Sequence, residues 1–303
     1  MSLLANVTKG KIKQPFLGLL FGVDGVGKSS FGAAMPAPFF IGSESGTGNL
    51  DVHRFAAASF AEVMKLIKEL TDDNHAYQSL VIDSLDWLEP LVWEHVIDAA
   101  SDKKIKSIED FGYGKGFVYA IDEWRKMISA LNSLREKKKM NILLIGHSQV
   151  KVAKDPTASA EYERYQLKLN DKAAALFREW VDCVFFANFE TLTAADKKGK
   201  TRAFGDGARY IYTERRPGFD AKNRFGLPFQ MALDWNEVKE TLDQANPEDP
   251  AVVIHNIRLM LDEPQTATIK GAVEISLANV GNNLEQLKRI ENKLLTIVNA
   301  PAA

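Results

Sequence analysis

The residues between Gly22 and Ser29 have the types and spacing of a phosphate-binding loop. The segment Gly22-Val-Asp-Gly-Val-Gly-Lys-Ser29 matches the pattern G-x-x-x-x-G-K-[ST] at each fixed position. Glycines let successive backbone N–H groups turn towards an anion, and a following helix points its positive end at the same place. Lys28 can then reach the β- and γ-phosphates, and the Ser29 hydroxyl can bind Mg²⁺. The spacing predicts a nucleoside triphosphate site in preference to a glycine-rich turn with a surface lysine.

The elements that must position this loop are visible on both sides of it. An apolar run at residues 16–21 predicts a buried strand, and the residues from Lys28 onwards predict a short helix that Pro36 stops. The loop and the start of the helix supply the predicted nucleotide ligands. These are Gly22, Asp24, Gly25, Val26, Gly27, Lys28, Ser29 and Ser30.

Two carboxylates follow short apolar runs further along the chain. Asp83 ends Leu80-Val-Ile-Asp83, and we expect it to hold Mg²⁺ beside Ser29, directly or through water. Asp86 competes for this role, but Asp83 is preferred because it lies at the edge of the strand. Glu44 follows a predicted strand at residues 39–41, where an α/β ATPase places the group that orients or deprotonates water. The alternative for Glu44 is a solvated loop acid.

A third apolar run, residues 141–146, ends at His147 and continues to Gln149. A polar side chain at the tip of the strand beside the acidic one is well placed to sense the γ-phosphate. Neutral imidazole and amide groups both donate hydrogen bonds, so either residue can serve, and a purely structural histidine is the alternative.

Three segments combine positive charge with irregular structure. Residues 101–116 and 151–170 contain lysines or arginines with tyrosines, which is typical of contacts with a single nucleic acid strand, and solvated connectors are the alternative. Residues 214–228 contain four cations. They are Arg215, Arg216, Lys222 and Arg224. Such a loop at a subunit boundary can present a cation to a neighbour's γ-phosphate, as arginine fingers do.

The composition fits an ordinary α/β protein with a sizeable core. The 303 residues are 46% hydrophobic and 26% charged, and the formal net charge of -2 argues against a globally basic nucleic-acid binder. The single cysteine, Cys183, lies in an apolar segment and predicts a core residue. Without a membrane-length apolar run, a signal peptide or zinc spacing, we expect a cytoplasmic location. Residues 1–234 predict the core, and residues 235–303 a mostly helical appendage.

Taken together, these motifs resemble phage RecA-like P-loop ATPases of the Sak-type single-strand annealing family. The segments that carry the resemblance are Gly22–Ser29, Glu44, residues 80–83, 112–116, 145–147 and 221–228. The resemblance implies an α/β fold with a RecA-like, mainly parallel twisted sheet flanked by helices. It also implies ATP hydrolysis with Mg²⁺ between adjacent protomers of a ring or filament, and single-stranded DNA binding.

The same resemblance assigns roles to individual residues. It implies that Glu44 is the catalytic carboxylate, that His147 is the sensor, and that Lys222 and Arg224 act on a neighbour's nucleotide. The predicted function is phage DNA recombination by annealing or strand pairing in the host cytoplasm, with a single-strand-binding protein as a further candidate partner. The alternatives are a hexameric helicase-like or helicase-loading motor and a nucleotide-gated adaptor.

Overall fold

The strands form a sheet whose central members are parallel. In the computed structural model, the described residues are 14–42, 48–154, 156, 158–190, 192–195, 201–205, 207–245, 250–262 and 264–298. The strands are β1 (Leu17–Gly22), β2 (Pro38–Gly42), β3 (His53–Ala56), β4 (Ser79–Asp83), β5 (Asn141–Ala153), β6 (Tyr162–Leu167), β7 (Cys183–Phe189), β8 (Leu192–Ala195), β9 (Thr201–Phe204), β10 (Arg209–Tyr212), β11 (Lys222–Asn223) and β12 (Gln230–Ala232). The order across the main sheet is β12-β10-β7-β1-β5-β4-β2-β3.

The helices cover both faces of this sheet or follow it in the chain. They are α1 (Lys28–Ala33), α2 (Phe60–Asp72), α3 (Leu85–Asp98), α4 (Lys115–Lys138), α5 (Asp171–Trp180), α6 (Trp235–Ala245), α7 (Pro250–Leu261), α8 (Lys270–Val280) and α9 (Leu284–Val298), with 3-10 turns at Ile108–Phe111 and Pro264–Thr266. The predicted α/β class, with a mainly parallel sheet, flanking helices and a helical C-terminal region, is confirmed.

Strand β1 lies at the centre because it is apolar on both faces. All six of its residues are buried, and it pairs in parallel with β5 and β7. Leu19 and Phe21 pack with α2, α3, α4 and α5, whereas Leu20 packs on the opposite face with α1 and α6. A parallel strand buried on both faces reads as a continuous apolar run, as residues 16–21 do.

The edge strands depart from the parallel pattern. Strand β10 pairs antiparallel with β7, and β12 pairs antiparallel with β10. Beyond His147 the long strand β5 leaves the parallel sheet and forms an antiparallel hairpin with β6. This hairpin occupies part of the segment 151–170 that the sequence predicts as a contact loop. Strands β8 and β9 form a separate hairpin.

The chain divides into two compact units. The larger comprises residues 15–73 and 77–242, and the smaller includes residues 243–303. The predicted boundary, after residue 234, falls earlier than this division because Trp235 and Val238 of α6 are buried in the core of the larger unit. The Trp235 ring lies edge-on against the rings of Phe16 and Phe31, with centroids 5.1 and 5.8 Å away.

The smaller unit has a helical core of its own. Val253, Ile257 and Leu261 on α7 are buried with Leu277 of α8, and α9 contributes Leu287 and Leu294. The apolar residues of α7 recur at helical spacing, which explains why they share one face. Among the described residues, no helix combines the length and apolar character needed to cross a membrane.

Candidate functional site

The glycine-rich loop lies between β1 and α1, at the edge of the sheet where the parallel strands end. Gly22 at the end of β1 is opposite His147 of β5, and Asp83 at the end of β4 is opposite Ile145 of the same strand. The register therefore brings the loop, the acidic strand and the predicted sensor to one edge. In open α/β sheets, ligands bind outside this edge.

Gly22 is required by the close approach of β7. A Cβ at this position would lie 2.1 Å from the carbonyl oxygen of Ala187, which itself accepts a 3.3 Å hydrogen bond from the amide of Val23. A contact of 2.1 Å is far below any allowed separation, so a side chain at residue 22 must displace the neighbouring strand. The first glycine of the motif is thus fixed by strand packing.

Lys28 holds its ammonium group inside the loop. The residue is only 6% exposed, and Nζ donates hydrogen bonds of 3.2 Å to the carbonyl of Gly22 and 3.0 Å to that of Val23. These contacts hold the ammonium against the backbone at the start of the loop, where the motif predicts the phosphates. An ammonium kept there can donate to phosphate oxygens with little rearrangement.

Ser29 and Asp83 meet at the same place. The Ser29 hydroxyl donates a 2.6 Å hydrogen bond to Oδ2 of Asp83, which is 5% exposed. Burial raises the pKa of the Asp83 carboxyl, while the Ser29 hydrogen bond and the Lys28 charge act in the opposite direction. The two oxygens fit Mg²⁺, which takes oxygen ligands and is bound by one or two carboxylates together with substrate phosphates. No cluster of three or more His, Cys, Asp or Glu in the described part of the chain offers a rival site.

His147 is held by Asp86 and faces the loop. Its Nδ1 lies 2.9 Å from Oδ2 of Asp86, and its backbone amide donates a 3.1 Å hydrogen bond to Oδ1 of the same carboxylate. Its Nε2 lies 3.9 Å from Oδ1 of Asp24 in the loop. The hydrogen bond to Asp86 raises the pKa of His147. Burial pushes the pKa of Asp86 upwards, but the hydrogen bonds from His147 outweigh it and the pKa is lowered.

The geometry separates the alternatives left open by the sequence. Both oxygens of Asp86 are engaged by His147, whereas Asp83 is the carboxylate that contacts Ser29. Gln149 donates a 3.3 Å hydrogen bond to the carbonyl of Leu167 and thereby ties β5 to β6. His147 lies near the loop through Nε2, whereas the side-chain amide of Gln149 is bonded to β6.

The remaining predicted nucleotide ligands divide by exposure. Asp24, Gly25 and Ser30 are exposed, whereas Val26 is buried in the core beneath the loop. Val26 therefore anchors the loop, and a nucleotide can contact only its backbone. Glu44, the predicted catalytic carboxylate, lies outside the described residues.

Lys222 and Arg224 both have partners within the chain. Lys222 Nζ donates to the carbonyls of Arg178, Glu179 and Val181 at 3.1, 2.8 and 2.6 Å, which caps the C-terminal end of α5. Burial lowers the pKa of Lys222. Arg224 Nη1 lies 2.9 Å from Oδ1 of Asp182, and its side chain remains 55% exposed. The contacts of Lys222 are those of a structural cation.

Both cations lie far from the loop of their own chain. Strand β11, which contains Lys222, pairs with the beginning of β7, whereas the loop lies beside Ala187 near the end of β7. The rise of a strand makes this separation about 10 Å along β7. Neither cation is therefore beside the loop of its own chain.

Arg209 is a site residue that the sequence reasoning missed. It begins β10, and a Cβ added to Gly27 would lie 3.1 Å from its Nη1. No hydrogen bond or ion pair of its side chain is found within the described ranges, so the guanidinium lies against the loop and can bind an anion there. The antiparallel pairing of β10 with β7 produces this contact, and no local sequence signal indicates it.

Comparisons with known proteins find a family match and a structural likeness. A family model described as an AAA domain, AAA_24, matches residues 15–225. No curated protein matches the chain. Solved structures that match include the crystal structure of the RadB recombinase, at 12% identity and a TM-score of 0.37, over 68% of this chain and 84% of that chain. Because the family match spans more than half of the chain, including the loop and the acidic strand, the chain belongs to the AAA domain family AAA_24.

Proposed function

We propose that this chain is a Mg²⁺-dependent ATPase that self-associates and binds single-stranded DNA, in phage recombination by annealing or strand pairing. The observation that carries the proposal is the meeting of Ser29 and Asp83, 2.6 Å apart, beside the buried ammonium of Lys28. Membership of the AAA domain family supports the nucleotide-binding part. The Sak-type resemblance of the motifs supports the recombination part.

The residues at the edge of the sheet have separate roles in this proposal. Lys28 and the loop amides bind the phosphates, and Ser29 and Asp83 bind the metal, which when bound neutralises charge on the β- and γ-phosphates. Glu44 orients and deprotonates the attacking water. His147, oriented by Asp86, donates a hydrogen bond from Nε2 towards the γ-phosphate. Positioning and charge neutralisation supply most of the acceleration, because phosphoryl transfer needs little covalent help.

Self-association completes the site in this proposal. Lys222 pairs with Val184, about 10 Å along β7 from the loop of its own chain, and Arg224 follows Asn223, which pairs one residue further from the loop. In a ring or filament built by a head-to-tail interface, one protomer's cations face the next protomer's nucleotide. The exposed Arg224 is the stronger candidate, because Lys222 is already engaged by three carbonyls. A single-strand-binding protein is the further partner we propose, in the cytoplasm of a bacterial host.

The decisive experiment measures ATP binding and turnover, with and without single-stranded DNA, for the wild type and Lys28→Ala. We expect Lys28→Ala to keep its fold by circular dichroism and to lose turnover by at least about 100-fold. Lys65→Ala is the matched control, because Lys65 is an exposed lysine paired with Glu69 on α2. Wild-type turnover in Lys28→Ala would refute the site.

The same measurement separates the classes of function. Strong stimulation by single-stranded DNA without unwinding of a forked duplex supports annealing or strand pairing. Stimulation with unwinding indicates a helicase-like motor. ATP binding with negligible turnover, with or without DNA, indicates a nucleotide-gated adaptor.

A further inference from the structure

Two cavities beside β6 share a wall that is rich in arginine. One has a volume of about 390 Å³ and the other about 560 Å³, and both are lined by Arg164 and Arg215. We call the two together the basic groove. Its cations are Lys154, Arg164, Arg178, Arg215 and Arg216.

The positive charge of the basic groove is only partly balanced. The carboxylate of Asp220 accepts a 2.6 Å hydrogen bond from Nη2 of Arg164 and another from Nη1 of Arg178, and Nε of Arg215 lies 3.8 Å away. Three guanidinium groups therefore share one carboxylate. The other two cations have acids of their own, Lys154 with Glu161 at 3.4 Å and Arg216 with Glu214 at 3.7 Å. The other acid in the wall, Asp171, is already paired with Lys151 at 2.7 Å. An excess of like charge in a concave, partly buried site attracts anions.

Arg164 provides a second, independent indication of a ligand. The residue is 7% exposed, and its Nε is buried without a hydrogen-bond partner in the part of the chain that the structure describes. A buried donor that is left unpaired costs free energy, and the oxygen of an anion would remove that cost. A guanidinium binds phosphate with two parallel hydrogen bonds, which makes phosphate the anion that fits best.

The distribution of the cations favours a strand of nucleic acid over a single small ligand. Of the two cavities in the groove, Arg178 lines the smaller, and Lys154 and Arg216 line the larger, so charge is spread along the groove. Tyr162 lines the larger cavity, and Arg216 stacks 4.1 Å above the Phe229 ring. Successive phosphates need spaced cations, and unpaired bases stack on aromatic and guanidinium planes.

We propose that the basic groove binds the phosphate backbone of single-stranded DNA. This inference rests on the proposed function. It places the DNA on the face formed by β6, α5 and residues 214–220. Arg164, Arg178 and Arg215 bind one phosphate above Asp220, and Lys154 and Arg216 bind a neighbouring phosphate.

The test is fluorescence anisotropy of a labelled thymidine oligonucleotide, titrated with the full chain at several salt concentrations. Arg215→Ala and Arg216→Ala alter exposed side chains and should keep the fold. We expect each to weaken binding about 3- to 10-fold at low salt, and to reduce the slope of log affinity against log salt by about 0.7, the value for one lost phosphate contact on a single strand.

The matched control is Arg125→Ala. Arg125 is 63% exposed and bonds Asp122, much as the 65% exposed Arg215 lies beside Asp220. We expect the affinity of this control to stay within about 2-fold of wild type, as for a substitution without a phosphate contact.

Each other outcome overturns the inference in a distinguishable way. If the wild type binds the oligonucleotide and the groove variants match Arg125→Ala, the groove is not the DNA site, while the proposed function stands. If the wild type does not bind with or without ATP, the DNA-binding part of the proposed function fails as well. If the variants lose self-association by sedimentation but keep DNA affinity, the groove is a protein interface.

Discussion

The Ser29 hydroxyl donates a hydrogen bond of 2.6 Å to Asp83, a residue 54 positions further along the chain. Parallel pairing of β1, β5 and β4 brings the two oxygens together at one edge of the sheet. Because Asp83 is buried, its charge costs free energy in the folded chain, as the raised pKa indicates. The arrangement lowers the stability of the fold and holds two oxygens where a cation can bind.

Asp83→Asn should raise the stability of the fold and weaken metal binding. The amide removes the buried charge, so we expect the melting temperature to rise by about 2 to 4 °C, as for a stabilisation of about 1 kcal/mol. The increase in ATP affinity on adding Mg²⁺ should fall by at least about 10-fold, since one metal ligand is weakened. Thermal unfolding and fluorescent-nucleotide titration with and without Mg²⁺ measure both. An unchanged Mg²⁺ effect would assign the metal to other residues.

Gly22→Ala tests the packing of β1 against β7. The new methyl group would lie 2.1 Å from the carbonyl oxygen of Ala187, and backbone cannot yield as a flexible side chain does. We expect a loss of about 3 kcal/mol or more in the free energy of unfolding, together with loss of nucleotide binding. Gly25→Ala is the control, because its φ is +71° but nothing lies near its Cβ. It should cost only about 1–2 kcal/mol in urea denaturation.

Local patterns were sufficient to predict the centre of the fold. The apolar runs that form β1, β4 and the first part of β5 are continuous because these segments are buried on both faces, and the loop after β1 has a fixed spacing. Strand β6 was missed because its segment, Tyr-Glu-Arg-Tyr-Gln-Leu, is mostly polar. The structure explains this composition, since Arg164 and Gln166 line the basic groove.

The contacts that sequence reasoning could not predict join residues that are distant in the chain. The position of Arg209 near Gly27 depends on the order of β10, β7 and β1 in the sheet. Lys222, which the sequence predicts as a cation for a neighbour, caps α5 within its own chain, because the end of that helix offers carbonyls within its reach. A motif identifies the residue type, but only the tertiary neighbours decide how its charge is used.

The ion pair of His147 with Asp86 should make stability depend on pH. The pKa of His147 is raised, so its stabilising effect is complete below its unfolded value of about 6.5 and is lost as the pH rises through the folded value. The pKa of Asp86 is lowered despite its burial, so its effect is present above about 3.9 and is lost as the pH falls through the folded value. The pair therefore contributes most to the free energy of unfolding between about pH 4 and 6.5.

Asp86→Asn should remove this contribution. We expect the free energy of unfolding to fall by about 1–3 kcal/mol near pH 6, as for a hydrogen bond to a charged group, and by less above the raised pKa of His147. Urea denaturation across a pH series measures the difference, with His147→Gln as the companion variant. The other charged groups that act on His147 are Asp24, near its Nε2, and Lys28. Both are unchanged in wild type and in Asp86→Asn. Parallel pH profiles for wild type and Asp86→Asn would contradict the assignment.

Arg209→Ala should weaken nucleotide binding without unfolding the loop. The guanidinium lies beside Gly27, where it can offset phosphate charge, so we expect ATP and ADP affinities to fall about 5- to 20-fold. Arg209→Lys should recover part of the loss, since it restores charge but not the planar fork. Fluorescent-nucleotide titration gives the affinities, and Arg125→Ala, a change of an exposed arginine on α4, is the comparison. If Arg209→Ala and wild type bind nucleotide with equal affinity, Arg209 takes no part in nucleotide binding.

Mixing two inactive variants tests whether Arg224 acts on a neighbour's nucleotide. Lys28→Ala lacks its own loop lysine, and Arg224→Ala lacks the cation that we assign to the next protomer. An equimolar mixture contains interfaces in which both groups are intact, so turnover should recover to about a quarter of wild type if protomers assemble at random. Arg224 suits this test better than Lys222. In Arg224→Ala, Asp182 keeps its 2.7 Å bond to Arg135, and loss of the exposed Arg224–Asp182 pair costs at most about 1 kcal/mol of stability. A mixture that remains inactive, although sedimentation shows mixed assemblies, would remove Arg224 from the neighbour's site.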